Sequence, residues 1–512
     1  SKENSVKFSK SIVSCAIALA LTHSITAHAE AKSDNKALST SALSQVERAS
    51  GTSNELKLSQ TSGSQGGNEL ASVQLGTSNL TDVTTIGDNN ITEADQNGTG
   101  NVAIVTTTGN NNNQVYSQDG EANGALTEVT GDDNAIDVQQ SGSGVLGINN
   151  EAINVINGDQ NTITVSQGSG GQWFYNLDMQ GSQNEISATQ AGMWNEATLE
   201  SVQGDMNQIT LDQNGLYNQY KVVSLQGNEN EIESSQNGNF NVIAVETVIG
   251  DDNQVEIEQS EGDSNTVNVF EITGNNNEFS IDQEGSTNTF ASDLLVGNDN
   301  EVTTEQRGDE NKVQADVVGN DNEFTAMQIG NGNEMYLGVA GENNEFSATQ
   351  VGDANIAHVA NFNGNDNDID VTQTGAENEV IVQSSYPDVS LASNDNTVDI
   401  SQSGTGNGVA LTMSSVVDSS SNQVDIAQSG EFNAIDLMLE GSRNMLDITQ
   451  NGSNNFVMGM GSEAFIINGD DNAFTVSQIG DGNLVQGGIT GSGQNITVTQ
   501  VGDNNVATIT QQ

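Results

Sequence analysis

Residues 184–229 read NEISATQAGMW (184–194), NEATLESVQGDM (195–206), NQITLDQNGLY (207–217) and NQYKVVSLQGNE (218–229). Two half-units alternate here, and each opens on Asn. An internal repeat of this length indicates that the chain is built from stacked copies of one small structural unit. The unit begins at nineteen positions, with a degenerate copy at Asn54: Asn68, Asn90, Asn112, Asn134, Asn161, Asn184, Asn207, Asn230, Asn253, Asn277, Asn300, Asn322, Asn344, Asn367, Asn396, Asn422, Asn444, Asn472 and Asn495.

The first half-unit has the period of a half-buried β-strand. Its pattern is N-x-φ-x-φ-x-Q-x-G, where φ is usually apolar, as in Asn300, Val302, Thr304, Gln306 and Gly308. Residues at i, i+2, i+4 and i+6 share one face of a strand, so Asn, the two φ residues and Gln point the same way. The second half-unit, as in residues 311–317, alternates in the same manner. Gly and Asn in the connecting arcs tolerate the positive φ of a tight reversal.

Two strands and two arcs in each 22–23 residues predict an all-β fold, a β-solenoid of about 19 coils stacked in parallel and in register. Equivalent Asn and Gln side chains would then form ladders whose amides bond along the stack, as in cross-β structures. We take the following as the candidate ladder and assembly residues: Asn184, Gln190, Gly192, Asn195, Asn207, Gln213, Gly215, Asn230, Gln236, Gly238, Asn300, Gln306, Gly308, Asn322, Gln328, Gly330, Asn344, Gln350, Gly352, Asn495, Gln500, Gly502, Asn505 and Gln511.

The side chains that face water carry most of the charge. Because stacked like charges repel, we expect outward acidic residues to change position from coil to coil, as with Glu256 and Glu258 against Ser280 and Asp282. The final strand, in residues 504–512, is followed by no capping helix in this sequence. We expect its backbone groups to be open to pairing with another chain.

Composition excludes several classes of function. The 512 residues include 70 acidic and 11 basic side chains, a net charge of −59, and only 33% are hydrophobic. Such a surface argues against nucleic-acid binding and against adsorption to anionic membranes. A chain this polar would ordinarily be disordered, so its order must come from the repeat.

The N-terminal region reads as a targeting segment. Lys2, Lys7 and Lys10 precede the apolar run 11–21, and an A-x-A site lies at 27–29. We predict three regions: a signal peptide (1–29), an irregular leader (30–67) and the repeat solenoid (68–512). The region after residue 29 has no cysteine, so disulfides cannot stabilise it.

The repeat resembles that of the curlin family, the subunits of bacterial curli fibres. The family unit maps onto Asn184, Gln190, Gly192 and Asn195 and onto the equivalent positions of the other copies. The resemblance implies a secreted structural protein of a Gram-negative bacterium that polymerises end to end into extracellular amyloid fibres for biofilm and adhesion. It also implies a nucleator subunit, a dedicated outer-membrane secretion channel and an export role for residues 30–67. The chain departs from the family in its length, its acidity and its scarcity of Gln in the second strand.

Other functions have weaker support. We expect no enzyme, no cofactor and no membrane insertion, because no catalytic motif is present and the region after residue 29 has one histidine, His358, on an outward position. Trp173 and Trp194 are expected to serve packing. The alternative function is a monomeric rod-like surface adhesin or binding module. Acidic turns such as 131–134, 250–253 and 469–472 could offer oxygen ligands to Ca²⁺ in such a module.

Overall fold

The computed structural model describes residues 32–35, 44–63, 66–143, 149–295, 298–317, 320–340, 342–384, 391–461 and 463–512. The predicted signal peptide, residues 1–29, and part of the predicted leader lie outside these ranges. Every regular element within them is a β-strand. The described residues contain no helix long and apolar enough to span a bilayer.

The strands alternate along the chain between two sheets, A and B. The strands of sheet A are β1 (Lys32–Asn35), β3 (Glu55–Thr61), β5 (Leu80–Ile86), β7 (Val102–Thr108), β9 (Gly124–Thr130), β11 (Glu151–Asn157), β13 (Trp173–Gln180), β15 (Glu196–Val202), β17 (Gln219–Leu225), β19 (Val242–Val248), β21 (Thr266–Ile272), β23 (Thr289–Leu295), β25 (Lys312–Val317), β27 (Glu334–Ala340), β29 (Ile356–Asn363), β31 (Glu379–Ser384), β33 (Gly408–Met413), β35 (Ala434–Glu440), β37 (Phe456–Met458), β38 (Phe465–Asn468), β40 (Leu484–Thr490) and β42 (Val506–Gln511).

The strands of sheet B are β2 (Ser44–Thr52), β4 (Glu69–Thr77), β6 (Ile91–Thr99), β8 (Asn113–Glu121), β10 (Ala135–Ser143), β12 (Thr162–Gln167), β14 (Glu185–Met193), β16 (Gln208–Leu216), β18 (Glu231–Asn239), β20 (Gln254–Ser260), β22 (Glu278–Glu284), β24 (Glu301–Arg307), β26 (Glu323–Ile329), β28 (Glu345–Asp353), β30 (Asp368–Ala376), β32 (Thr397–Thr405), β34 (Gln423–Glu431), β36 (Met445–Ser453), β39 (Ala473–Ile479) and β41 (Asn495–Val501).

The chain divides into two compact units. Of the described residues, the first contains those up to 206 together with 211–216, and the second contains 207–210 and those from 217 onwards. In each unit, a strand pairs in parallel with the equivalent strand of the next coil. In the second unit, for example, Glu301 lies opposite Glu323, which lies opposite Glu345. The prediction of an all-β solenoid of about 19 coils is confirmed.

A thin apolar core lies between the two sheets of each unit. The φ positions of the repeat supply it, and in sheet B the stacked side chains of Phe279, Val302, Phe324 and Phe346 are all buried. Buried Asn and Gln border these apolar residues on either side. The alternation of the strands therefore separates an inward face of apolar and amide groups from an outward face of hydroxyl and carboxylate groups.

Parallel pairing extends closer to the N-terminus than residue 68. Strand β2 pairs with β4, and β3 pairs with β5, although both β2 and β3 lie within the segment predicted as an irregular leader. Asn54 belongs to this coil, and its Nδ2 donates to the carbonyl of Gly76. The degenerate repeat at Asn54 is thus folded as a coil. The export role of residues 30–67 stays a prediction.

The expectation that outward acidic residues change position between coils is wrong. Glu258, Asp282 and Glu305 stack directly, and Glu233 lies opposite Glu256. Two longer columns of acids also run along sheet B: Glu278, Glu301, Glu323, Glu345 and Asp368, and then Asp370, Asp399, Asp425 and Asp447. Water and salt screen exposed charges, so the repulsion within a column is small beside the pairing of whole strands.

Candidate functional site

The surface on which one coil stacks on the next is the candidate functional site, because its Asn, Gln and Gly residues recur from coil to coil. In the Gln ladder, the Nε2 of Gln306 donates to the Oε1 of Gln328 at 2.9 Å, and the Nε2 of Gln328 donates to Gln350 at 2.8 Å. The same Nε2 of Gln328 donates to the backbone carbonyl of Lys312 in sheet A at 3.0 Å. Each Gln thereby ties its coil to the next coil and its own sheet to the opposite sheet.

Two further ladders consist of Asn residues. One is formed by the Asn residues that precede the strands of sheet B, and the other by those that precede the strands of sheet A. Before sheet B, the Nδ2 of Asn322 donates to the Oδ1 of Asn300 at 3.0 Å. Before sheet A, the Nδ2 of Asn333 donates to the Oδ1 of Asn311 at 3.1 Å, and the backbone N–H of Asn333 donates to the same oxygen. The Nδ2 of Asn333 also donates to the carbonyl of Gly352 at 2.8 Å. One buried amide therefore fixes both the strand entry and the arc of the next coil.

The two kinds of ladder run in opposite directions. In the Gln ladder the amide N–H points towards the coil that follows in sequence, and in the Asn ladders it points towards the coil that precedes. Each side of a coil therefore presents both donors and acceptors. The side facing the next coil offers a Gln Nε2–H and two Asn Oδ1 atoms, and the side facing the preceding coil offers the complementary set.

Most of the predicted residues lie in these ladders or their corners. The Asn ladders contain Asn184, Asn195, Asn207, Asn230, Asn300, Asn322, Asn344 and Asn505. The Gln ladder contains Gln190, Gln213, Gln236, Gln306, Gln328, Gln350 and Gln500. Left-handed corners are formed by Gly192, Gly215, Gly238, Gly308, Gly330, Gly352 and Gly502.

The corner glycines are needed for close stacking as well as for backbone conformation. Gly330 has a φ of 121°, and a Cβ at this position would collide with the carbonyl oxygen of Gly352 in the next coil. Only a residue without a side chain lets two arcs approach at the strand spacing. The Q-x-G pattern therefore encodes both the turn and the distance between coils.

Two predicted ladder residues were assigned wrongly. In the coil that contains Gln500, the ladder position belongs to Gln494, whose backbone N–H donates to the Oδ1 of Asn472 at 2.9 Å. Asn495 lies opposite the outward Ala473, because it is five residues rather than six before Gln500. Gln511 lies opposite Ile489, a core residue, so the strand of the preceding coil offers it no Gln with which to form a ladder.

The sequence interpretation missed a further ladder in the arcs. The carboxylate of Asp132 accepts hydrogen bonds from the backbone N–H of Asn110 at 2.6 Å and from its Nδ2 at 3.1 Å. Asp251 and Asp470 likewise accept from backbone N–H groups of the preceding arc. These aspartates are the ones considered for Ca²⁺, and their oxygens hold the arcs together. Within the described ranges, no group of three or more His, Cys, Asp or Glu is arranged to hold a metal ion.

Glu440 has a structural role that the sequence pattern did not indicate. It ends β35, is 1% exposed, and its carboxylate accepts hydrogen bonds from the backbone N–H groups of Ser415, Val416 and Val417 at 2.9–3.1 Å. These three residues lie in the insertion that follows β33 in the preceding coil. A single buried carboxylate thus fixes the insertion to the solenoid.

The acidic columns perturb their own carboxyl groups. Burial raises the pKa of Asp370 above its ordinary value of 3.8, and the charges of Asp399 and Asp368 raise it further. The pKa of Asp425 is raised by burial and then by Asp399 and Asp447. The cost of stacking carboxylates is therefore present at neutral pH and decreases when they are protonated.

His358, Trp173 and Trp194 lie outside the ladders. His358 occupies an outward position of β29, and its ring centroid is 5.7 Å from that of Tyr336 in the neighbouring coil. Trp173 begins β13, and Trp194 lies in an arc with a φ of 61°.

The comparisons with known proteins agree with the repeat geometry. The model of the curlin associated repeat matches residues 297–338, 341–375, 420–452 and 441–480. No curated protein matches the chain. The matched residues span several coils of the second unit, where the Asn and Gln ladders are regular. With its ladders, corner glycines and four family matches, the chain carries curlin associated repeats in its second unit.

Proposed function

We propose that the protein is a secreted structural subunit that polymerises into extracellular curli-like fibres serving biofilm matrix and adhesion. Polymerisation would occur by stacking a coil of one copy on a coil of another. The curlin repeats and the β-solenoid support a structural role. The nucleator subunit, the outer-membrane secretion channel and the Gram-negative cell surface belong to this proposal as its implied partners and location.

The observation that carries the proposal is the equivalence of the coil surfaces. Coils 22 to 29 residues apart are joined by the same amide bonds, as in Gln350 to Gln373 and Gln373 to Gln402. A coil from a second copy that offers these groups would find the partners that a coil of the same chain finds. Backbone pairing with amide ladders is the bonding that holds cross-β assemblies.

The polarity of the ladders makes such a joint directional. In the described chain, no coil is stacked on the outer side of the coil formed by β41 and β42. Gln500 accepts from the Nε2 of Gln478 at 2.8 Å, and its own Nε2 donates to the carbonyl of Leu484. In the preceding coil the equivalent Nε2, that of Gln478, donates to the Gln of the coil that follows. Copies would therefore join head to tail, which produces an open filament rather than a closed pair.

The strands at this end also carry no charge. Strands β39, β40, β41 and β42 contain no acidic or basic residue, although the whole chain has a net charge of −59. A second copy approaching this coil would meet no stacked carboxylates on the strands. The repulsion that opposes association is therefore smaller here than along the acidic columns.

The test compares elongation of Gln500→Leu with that of Gln236→Leu. Both substitutions remove one ladder amide, but Gln236 is bonded to Gln259 within its own chain. We expect Gln500→Leu to slow seeded elongation at least tenfold and Gln236→Leu to change it much less. Equal effects of the two substitutions, or chains that never elongate, would reject head-to-tail stacking and favour the monomeric adhesin.

A further inference from the structure

The two outward faces of the second unit differ sharply in charge. Each face consists of the first and third residues of its strands. Face B is taken from the sheet B strands β18 to β41. Face A is taken from these sheet A strands: β17, β19, β21, β23, β25, β27, β29, β31, β33, β35, β37, β40 and β42. The second and fourth residues of these strands point into the core. Face B contains 12 acidic and no basic side chains, whereas face A contains 3 acidic and 2 basic side chains.

The few charges on face A are partly neutralised within the chain. Lys221 pairs with Glu246, and Lys312 pairs with Glu334 at 2.7 Å, so both lysines of the face have an acidic partner in the next coil. Of the three carboxylates on face A, Glu379 and Asp436 lie opposite no basic side chain in the described strand pairings. Face A is therefore close to neutral along its whole length.

Face A also presents apolar and small side chains to solvent. Tyr336 is 37% exposed, and Ile356, Ile381, Phe456 and Leu484 are half-buried on outward positions. Between them lie Ala and Gly residues, which project little or no side chain from the sheet. A flat, uncharged β-face of this kind can pack against another sheet at about 10 Å.

The size of face A is suited to a stable contact. Thirteen strand levels at about 4.8 Å and two columns of side chains about 7 Å apart give a surface of roughly 60 Å by 14 Å. Two such surfaces would bury roughly 1,700 Å², which is in the range of specific protein interfaces. We propose that face A binds face A of a second copy, laterally, with face B of both copies directed to water.

The distribution of charge favours a second copy of the chain as the binding partner and face A as the surface of contact. A copy bound through face B would place acidic columns against each other, and removing those carboxylates from water without partners is costly. A self-complementary contact between two neutral faces avoids this and is the usual geometry of a twofold dimer. This lateral contact differs from head-to-tail stacking, so it can exist with or without fibre growth.

The test adds charge to one face at a time in the full chain. The variant Ala244→Asp/Ala410→Asp places two carboxylates on face A, and the matched control Thr303→Asp/Thr475→Asp places two on face B at half-buried outward positions. Sedimentation at a series of concentrations measures lateral dimers, and electron microscopy measures fibre width. We expect the face A variant to weaken dimerisation at least tenfold and to give filaments of single width, while the control behaves as the parent.

A second pair of variants removes charge, so the test does not depend on whether the first variant folds. Glu379→Gln/Asp436→Asn on face A should strengthen dimerisation severalfold, and Asp399→Asn/Asp425→Asn on face B should not. Equal effects of changes on the two faces, or a folded parent that stays monomeric and forms only filaments of single width, would overturn the proposal. Dimers that form without elongation would support face A and reject the fibre function.

Discussion

At the scale of single residues, the Asn, Gln and Gly positions of the repeat have separable physical roles. Asn and Gln are retained because a buried amide needs partners, and its copies in adjacent coils supply them. Gly is retained for the corner, where Gly330 has positive φ and meets Gly352. The sequence alone predicted both roles, since six-residue spacing and period-two alternation place the side chains. It misassigned Asn495 because the identity of the residue was given more weight than its distance from Gln500.

The glycine corner can be tested by substitution. Gly330→Ala should destabilise the fold by about 2 kcal/mol or more, because the left-handed conformation is strained for alanine and the Cβ meets Gly352. Gly338→Ala is the matched control, since a Cβ there has open space and the backbone is not left-handed. Urea unfolding of both variants measures the difference. A loss as large at Gly338 as at Gly330 would show that the corner is not the cause.

Glu440 offers a second test at this scale. Removing its charge in Glu440→Gln should weaken the hydrogen bonds to Ser415, Val416 and Val417 and cost about 2 kcal/mol, the typical value for bonds to a charged group. Amide exchange of residues 414–421 should accelerate. The exposed Glu431→Gln in the same repeat serves as the control. Unchanged exchange in the insertion would contradict the assigned role of Glu440.

At the scale of strands, register decides what the sequence could and could not predict. The period of the half-units predicted the parallel strands and the thin core, because both depend on spacing along the chain. The acidic columns were not predicted, because the general rule against stacked like charges was applied to exposed positions, where screening weakens it. The arc ladder of Asp132 was also missed, since its partners are backbone groups that the pattern does not identify.

The acidic columns predict how stability depends on pH. The raised pKa values of Asp370 and Asp425 mean that the folded state binds protons more readily than the unfolded state. This stabilisation is full below the ordinary pKa of 3.8 and is lost as pH rises through the raised values. The free energy of unfolding of the second unit should therefore increase as pH falls from neutrality towards the ordinary pKa.

The variant Asp399→Asn tests this dependence, because Asp399 lies between the two perturbed carboxyls. It should be more stable than the parent at neutral pH and gain less on acidification, as measured by thermal unfolding at several pH values. Glu431→Gln removes a carboxylate outside the columns and should leave the pH dependence unchanged. An identical pH profile for Asp399→Asn and the parent would contradict repulsion within the column.

At the scale of the molecule, the proposed assembly uses two kinds of surface. The stacking face of a coil repeats the contacts within the chain and would give filament growth, while face A would join copies side by side. Face B carries 12 acidic and no basic side chains, and the arcs carry further carboxylates such as Asp132 and Asp251. Charge distribution, rather than a specific binding pocket, would thus determine which surfaces meet.

The most direct test of the central claim is fibre diffraction from the full chain purified in denaturant and diluted into concentrated salt. Head-to-tail stacking of coils predicts unbranched fibres with a meridional reflection at 4.7–4.8 Å and an equatorial reflection near 10 Å. Growth should be accelerated by preformed seeds of the same protein. Folded particles that remain dispersed under these conditions, without a meridional reflection, would contradict the account.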